Sequence, residues 1–568
     1  MIYSPRPGSL PAIAASLGIQ ASIHGVVVAG TPIGTPRFVD EQLATTSQDI
    51  LDSLMRIETV PLHLQDKLLL LRKSYNWRLS FLATTIPTAT LLPHLQLIEN
   101  RIAATILSDL HTSSDEIAIH QTMLPPRLGG LGLFPLSRCD GLLAQSLFLA
   151  AARRAYQTLH RSSFSSQILQ GGHGRDLDAI WCAYRSQLHS LHPQDGGSMR
   201  PPPVPPSGTL ELATAREELS HIHGHTAQTI NLHLYAQLLS KYQAYLLQRT
   251  HRHLGAIHLS RIHSLAGGIG LKWLDARPVK DSWRLPNNIV SSNLRFILGL
   301  PPFPEVLPWR VCRCGEPEDG AHHALSCHQL GGFRIRRHSL LQSTLREGLS
   351  AAGLATSLEP TDRDLLPNPA SSDRSHRGDI QASGSGLLWN IDISVVHPAS
   401  SSYRVSASRT AGASAKAMEQ RKRNIHDRDP SNPAEFIPFV VESYGFLGKS
   451  ARRLLLKTQR LAEESSTAHS NGSFNCWLVM ELSISLALGN GNFFLHHSGA
   501  LPHHTGKVYR RGNDNRGPLD AFPLHLLSIR GDDPWEDNVS NLESDRGKCP
   551  DERGSRDFGG GFSHEVAP

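Results

Sequence analysis

The feature that most constrains this chain is a compact cysteine and histidine cluster in a sequence with few cysteines. The 568 residues contain seven cysteines, and three of them lie between positions 312 and 327. The pattern is Cys312-x-Cys314-x7-His322-x4-Cys327. Three thiolates and one imidazole are the donors of a closed tetrahedral zinc site. The spacing therefore predicts a small structural zinc knuckle with no open position for water.

Two alternatives to this ligand set stay open at the level of sequence. The gap between Cys312 and Cys314 is one residue, which is shorter than the usual gap in zinc sites. His323 could replace His322 as the nitrogen ligand. A partly buried cysteine cluster without metal would have the same composition.

A pair of aspartates, Asp379 and Asp392, follows with twelve residues between them. The pattern around them predicts two strands joined by a turn, and Asp392 falls on the polar face of the second strand, 387–396. If the strands pair, the two carboxylates meet at one end of the sheet and could hold Mg²⁺. Bound Mg²⁺ polarises a phosphodiester and activates water. The alternative interpretation is two exposed aspartates beside a turn.

Two further residues complete the predicted catalytic set. A helix near 411–427 carries Glu419 and Lys422 on one face, and a lysine can stabilise charge on a reacting phosphate. The next predicted strand is apolar and ends at Glu442, a third candidate carboxylate. Asp, Asp, Glu and Lys around a mixed sheet suit metal-dependent hydrolysis of phosphodiesters.

Charge points to a polyanionic partner. The net charge is +6, but residues 531–568 hold ten acidic and four basic residues, so the preceding chain carries +12. A basic run after the knuckle suits phosphate contacts, although such a run also fits a solvated helix face. Its members are Arg334, Arg336, Arg337 and His338.

The rest of the chain predicts helices, a linker and a tail. Apolar periodicity indicates helices near 40–57, 64–82, 91–110, 137–156 and 210–265, and another that ends at Gly299. A Pro- and Gly-rich stretch at 191–209 predicts a linker. We expect no secretion signal, no membrane span and no small-molecule substrate, so the predicted setting is intracellular.

These motifs together resemble the C-terminal part of the open reading frame of non-LTR retrotransposons that carry a restriction-like endonuclease. The resemblance covers roughly residues 20–495. The segment GVVVAGTPIGT resembles the end of the family's reverse-transcriptase palm, and LQDKLLLLRKSYNWRLSFLATTIP resembles its thumb. The loop LPPRLGGLGL resembles one in the connecting helical region. The cysteine pattern, the Arg337-His338 pair, the aspartate spacing and Lys422 match the family's knuckle and nuclease motifs.

The resemblance implies a multidomain fold: a mainly α N-terminal two-thirds, a small zinc knuckle, an α/β restriction-like endonuclease domain and a disordered C-terminal tail. It also implies structural zinc, catalytic Mg²⁺, DNA and element RNA as partners, and action in the nucleus. The expected domains are a palm end and thumb at 1–115, helical connectors at 116–190 and 210–300, the linker at 191–209, the knuckle and basic helix at 301–345, the nuclease at 346–495 and the tail at 496–568.

Departures from the family pattern limit what it implies. Gly378 stands where a proline is expected before the first aspartate, and His426 stands where an aromatic residue is common. No Tyr-x-Asp-Asp-like motif occurs, so we expect no reverse-transcriptase active site on this chain. The alternative function is an inactive nucleic-acid-binding remnant that keeps the knuckle.

Overall fold

The computed structural model describes residues 2–3, 21–112, parts of 116–151, 252–278, 280–302, 314, 322–327, 330–360, 378–426, 434–464 and 473–497. This part of the chain is mostly helical and contains one small mixed sheet, as the sequence predicts. The predicted linker, most of the helices at 137–156 and 210–265, and nearly all of the predicted tail lie outside the described residues.

In the described residues, short strands and seven helices precede the knuckle. They are β1 (Ile2–Tyr3), β2 (Ala21–Ser22), β3 (Gly25–Val28), β4 (Thr31–Gly34), α1 (Pro36–Thr59), α2 (Leu64–Leu70), α3 (Asn76–Thr85), α4 (Thr88–Asp109), α5 (Glu116–Thr122) and α6 (Arg252–Leu265). A seventh helix, α7, follows at Asn287–Leu298. Its end at Gly299, which has a left-handed φ of 79°, confirms the predicted helix stop.

The predicted long helix at 64–82 is present with an irregularity in its middle. α2 and α3 are joined by a π-helical turn at Leu71–Tyr75. Its apolar residues at three- and four-residue spacing are buried, Leu68, Leu71, Tyr75 and Leu79 among them. The periodicity therefore predicts the buried face correctly, and the π turn is a local departure that periodicity does not reveal.

The N-terminal helices do not form a clearly separate domain in the described part of the chain. Arg72, in the π turn, donates a hydrogen bond to the Leu274 carbonyl at 2.6 Å and forms an ion pair with Asp275. Gln121 on α5 donates to the Ile297 carbonyl at the end of α7. These buried polar contacts join segments that the sequence assigns to different domains, so the predicted multidomain layout is not apparent here.

The C-terminal part holds the α/β elements: α8 (Gly331–Ala351), β5 (Ala355–Leu358), β6 (Ile380–Gly384), β7 (Leu387–Val396), α9 (Arg404–Ala407), α10 (Ala413–His426), β8 (Glu435–Glu442), α11 (Lys449–Glu464) and α12 (Ser473–His497). The sheet order is β5-β6-β7-β8. β5, β6 and β7 pair antiparallel, and β7 pairs with β8 in parallel.

The two faces of the sheet are covered by different helices. One face carries Trp389, Ile391 and Phe439 and forms the main core with the apolar sides of α8, α11 and α12. The other face carries Val396 and Val440 and packs against α10. Strict alternation along β7 thus sends Asp392 to the α10 side, as the sequence predicts.

Helix α12 corrects one expectation from the sequence. The stretch Phe474–Leu495 has a mean hydropathy of 1.3 and is long and apolar enough to cross a membrane, whereas we expected no such run. In the fold, 78% of its apolar window is buried. Burial of this kind is typical of a core helix.

Candidate active site and metal centre

Asp379 and Asp392 lie opposite each other at one end of the β6–β7 hairpin. Ile380 pairs with Ile391, so extending the register by one residue places Asp379 across from Asp392. The Asp379 amide donates to the Ile391 carbonyl at 2.9 Å, and an Asp379 carboxylate oxygen accepts the Ile393 amide at 2.5 Å. The hairpin therefore fixes both the position and the rotamer of the first carboxylate.

Lys422 on α10 reaches the second carboxylate. Its Nζ lies 3.0 Å from Oδ1 and 2.8 Å from Oδ2 of Asp392. Asp392 is buried, because β7 is an inner strand and α10 covers this face of the sheet. An ion pair with a lysine compensates the cost of burying this carboxylate. The two predicted catalytic residues Asp392 and Lys422 are therefore in direct contact.

His338 on α8 contacts Asp379 from the other side. Its Nε2 lies 3.0 Å from Oδ2 of Asp379. Burial lowers the pKa of His338, but the hydrogen bond that its ring donates to Asp379 and the charges of Asp379 and Asp392 outweigh that effect, against opposition from Lys422. The net pKa of His338 is raised. Four ionisable groups from four segments thus act on one another at this end of the sheet.

Glu442 does not join this cluster. Asp392 is level with Pro438, whereas Glu442 is level with Val396, four residues further along the strand. Four residues of strand span about 13 Å. Helix α10 gives a similar separation between Glu442 and Asp392. Its Ser414 contacts Glu442 and its Lys422 contacts Asp392. The eight residues from Ser414 to Lys422 span about 12 Å of helix. The prediction that Glu442 acts with the two aspartates is wrong, because β8 is parallel to β7 and ends at its far end.

Glu442 instead fastens the start of α10 to the sheet. Its carboxylate accepts hydrogen bonds from the Ser414 hydroxyl and the Ala415 amide. Burial raises the pKa of Glu442, and hydrogen bonds from Ser264, Ser414 and Ala415 together with the nearby His263 oppose the rise. This side chain is a buried anchor at the N-terminus of a helix.

The basic run after the knuckle divides between the surface and the core. Arg334 and Arg336 are exposed. Arg337 is 2% exposed, donates to Asn490 on α12 at 2.8 Å and lies over the Phe493 ring. Burial, with a smaller effect of Arg334, lowers the pKa of Arg337 to about 10. The prediction that Arg337 contacts nucleic acid is wrong, because α12 covers it.

The knuckle brings together three of its candidate ligands. The donor atoms of Cys314, His323 and Cys327 all lie within 4.8 Å of one another, and Cys314 Sγ is 3.0 Å from His323 Nε2. These three residues could hold a metal ion. Cys312 lies outside the described residues.

His323 is the histidine that lies with the two cysteines, and His322 has different contacts. Nδ1 of His322 lies 3.1 Å from Nε2 of His397, which follows β7, and His397 Nδ1 lies 2.7 Å from the Ser443 hydroxyl. His322 and His397 are stacked and buried. Of the two histidines left open by the sequence, the structure places His323 with the cysteines and His322 against the sheet.

The donor types suit the two expected metals. Thiolates and an imidazole in close proximity suit Zn²⁺, and the paired carboxylate oxygens of Asp379 and Asp392 suit Mg²⁺.

The residue before Asp379, Gly378, is closely surrounded. A Cβ at Gly378 would lie 1.8 Å from the Asn390 side-chain oxygen, so Asn390 occupies the space that a proline ring would need.

Sequence reasoning missed two structural roles near the site. Glu419 does not face the aspartates: it accepts the Ser450 amide at 2.8 Å and caps the start of α11. His338 was expected to contact nucleic acid but contacts Asp379 instead. No local sequence pattern indicates the role of Glu419, because Ser450 lies 31 residues further along the chain.

Comparison with known proteins adds no identification. No protein-family model matches the chain, and no curated protein matches it.

Proposed function

We propose that this protein is a Mg²⁺-dependent DNA endonuclease that nicks one strand, built on a restriction-like α/β domain. The observation that carries the proposal is the convergence of Asp379, Asp392 and Lys422 at one end of the mixed sheet. Two carboxylates that could bind Mg²⁺, with a lysine on the neighbouring helix, suit metal-assisted hydrolysis of a phosphodiester.

The protein groups have distinct roles in this proposal. Asp379 and Asp392 would hold Mg²⁺, which supplies Lewis-acid polarisation of the phosphodiester and activation of water. Lys422 holds Asp392 in place and offers positive charge where charge develops on the phosphate. His338 fixes the Asp379 carboxylate from the α8 side.

Zinc has a structural role in the proposal. Cys314, His323 and Cys327 would bind Zn²⁺ and fix the segment that leads into α8. α8 carries His338, so a folded knuckle supports the position of one member of the site. Cys312 is the candidate for the fourth ligand by sequence spacing.

The wider setting follows from the family resemblance. We infer a retrotransposon-derived protein whose N-terminal helices correspond to a thumb, whose partners are DNA and element RNA, and which acts in the nucleus. No membrane role and no small-molecule substrate form part of this proposal.

Plasmid nicking tests the proposal. The full chain, purified with its zinc, is incubated with supercoiled plasmid and Mg²⁺, and relaxed circles are counted. We expect Mg²⁺-dependent nicking that falls by roughly 100-fold or more in Asp379→Asn and Asp392→Asn. Absence of nicking by the wild type, or full nicking by both variants, would exclude the assignment.

A second candidate function is binding of nucleic acid without cleavage. The observation in its favour is that both carboxylates already have protein partners, since Lys422 and His338 occupy the positions nearest to them. Gly378 in place of the family's proline points the same way. Salt-dependent DNA binding by a wild type that does not nick would favour this function.

A further inference from the structure

The side of the fold next to the candidate site carries an unusual concentration of positive charge. Helices α10 and α11 together contain nine basic and three acidic residues. One of the acidic residues, Glu419, is 8% exposed and faces inward to cap α11. The other two, Glu463 and Glu464, lie at the far end of α11. The exposed part of this surface is therefore almost purely basic.

The two helices meet across the edge strand β8. α10 packs on the Asp392 face of the sheet and α11 on the opposite face. Arg423 donates to the Ser450 hydroxyl at 2.8 Å, and Glu419 accepts the Ser450 amide. Lys416 shares the helix face of Glu419 and Arg423 by its spacing of three and seven residues, so this face of α10 meets the start of α11.

The matching face of α11 is basic as well. Arg453 lies three residues after Ser450 and so shares the face that meets α10. Lys449 is the first residue of the helix. Lys416, Lys449 and Arg453 are exposed. In the described part of the chain, no carboxylate forms a salt bridge with any of these three residues.

The start of α11 concentrates part of this charge in one helical turn. Its first turn contains no acidic residue, and Lys449, Arg452 and Arg453 lie in its first five positions. Cations at a helix N-terminus are unfavourable, because that end already carries partial positive charge from the backbone amides. The Glu419 carboxylate, which accepts the Ser450 amide, supplies one negative charge at this helix start, and the three basic side chains outnumber it.

We propose that Lys416, Lys449 and Arg453 form a docking surface for the phosphate backbone of duplex DNA beside the Asp379–Asp392 site. Lys416 and Lys422, which pairs with Asp392, are both on α10, so the surface and the candidate site share this helix. This inference rests on the proposed function for its choice of DNA. It adds a candidate nucleic-acid contact at the edge of the sheet to the exposed Arg334 and Arg336 of the helix after the knuckle.

The test compares two matched triple variants in an Asp392→Asn background that stops cleavage. The first is Lys416→Gln/Lys449→Gln/Arg453→Gln. The control is Arg56→Gln/Lys272→Gln/Arg277→Gln, which removes three exposed basic residues elsewhere. Binding of a fluorescent duplex is measured by anisotropy over a range of KCl concentrations, with single-stranded RNA as a second probe.

The surface variant should bind duplex DNA roughly tenfold or more weakly than the control. The slope of log K against log salt should fall by about 0.9 per lost contact, hence by up to about 2.7. Its melting temperature should not be lower than that of the control, since helix-end repulsion is removed. Equal binding and slope in the two variants would overturn the surface, and so would a loss confined to RNA.

The measurements distinguish an error in the proposed DNA-binding surface from an error in the proposed nuclease function. If the wild type nicks plasmid but the two triple variants bind alike, the surface is wrong and the nuclease stands. If the triple variants differ as expected but the wild type does not nick, the surface stands and the nuclease is wrong.

Discussion

At the scale of single residues, Asp392 and Lys422 define the candidate site most sharply. The side chain of Asp392 is 6% exposed and that of Lys422 is 24% exposed, so the pair is shielded from water on the carboxylate side. Removing the lysine leaves a buried carboxylate without its partner, which is far more costly than losing a surface ion pair.

A double-mutant cycle measures this coupling. Lys422→Met should lower the free energy of unfolding by about 1–3 kcal/mol, a range discounted for the exposure of the lysine. In an Asp392→Asn background the same change should cost much less, because no charge is left unpaired. Urea unfolding of the four proteins gives the coupling energy, and additive effects would show that the pair does not interact in solution.

Glu442 is a residue on which the sequence and the structure disagree, and its pKa supplies a test. The folded state raises the pKa of Glu442, so it binds that proton more tightly than the unfolded chain does. Stability from this group is present at low pH and is lost as pH rises from the ordinary glutamate pKa through the raised folded value.

Glu442→Gln should remove that pH-dependent loss. The amide oxygen can still accept from Ser414 and Ala415, while the cost of burying a charge disappears. The variant should therefore gain stability relative to the wild type as pH rises above the glutamate range, and it should nick DNA within about twofold of the wild type. A large loss of nicking in Glu442→Gln would indicate that Glu442 takes part in the reaction after all.

At the scale of elements, the β6–β7 hairpin was predictable and its neighbours were only partly so. The alternation in Leu387–Val396 and the spacing of the two aspartates follow from local sequence. The direction of β8 relative to β7 does not, because a parallel pairing depends on where the intervening helix returns the chain. Because β8 is parallel to β7, Glu442 lies about 13 Å from Asp392 along the strand.

The knuckle shows the same limit on a smaller scale. Sequence spacing identified the loop but could not choose between adjacent histidines, since either can reach a cysteine across a tight turn. The two histidines are distinguished by a contact with the sheet: the His322 ring lies within hydrogen-bonding distance of His397, which follows β7. A long-range contact thus decides a local ligand set.

Metal content of the two histidine variants tests this assignment. His323→Ala should lose most of the bound zinc, by analogy with Cys327→Ser, because each removes a donor atom. His322→Ala should retain zinc but lower the melting temperature, since it removes the partner of the buried His397 Nε2. Mass spectrometry of the native proteins measures the zinc, and equal loss in both histidine variants would contradict the distinction.

At the scale of the whole molecule, helical content was predictable from periodicity and the assembly was not. The sequence divides the chain into separate domains, but buried polar contacts run from the N-terminal helices to the C-terminal part. Gln65 on α2 donates to the Trp283 carbonyl at 3.0 Å, and Trp283 in turn donates to Glu481 on α12. Partners so distant in sequence have no local pattern that predicts them.

The burial of α12 at the centre of the fold also explains why the basic run divides as it does. α8 and α12 pack along their length, and the side chain of Arg337 is enclosed between them while Arg334 stays outside. Composition alone cannot separate a phosphate-binding arginine from one that spans a helix interface. The charge on α10 and α11 is more informative, because the fold shows which of those residues are exposed.

The assignment of Asp379 and Asp392 as a Mg²⁺ site of a nuclease is tested by the initial rate of plasmid nicking as a function of Mg²⁺ concentration, measured for wild type, Asp392→Asn and Glu442→Gln. We expect a saturating Mg²⁺ dependence for the wild type and for Glu442→Gln, and a rate lower by roughly 100-fold or more at every Mg²⁺ concentration for Asp392→Asn. Nicking by Asp392→Asn at the wild-type rate, or a wild-type rate independent of Mg²⁺, would contradict this assignment.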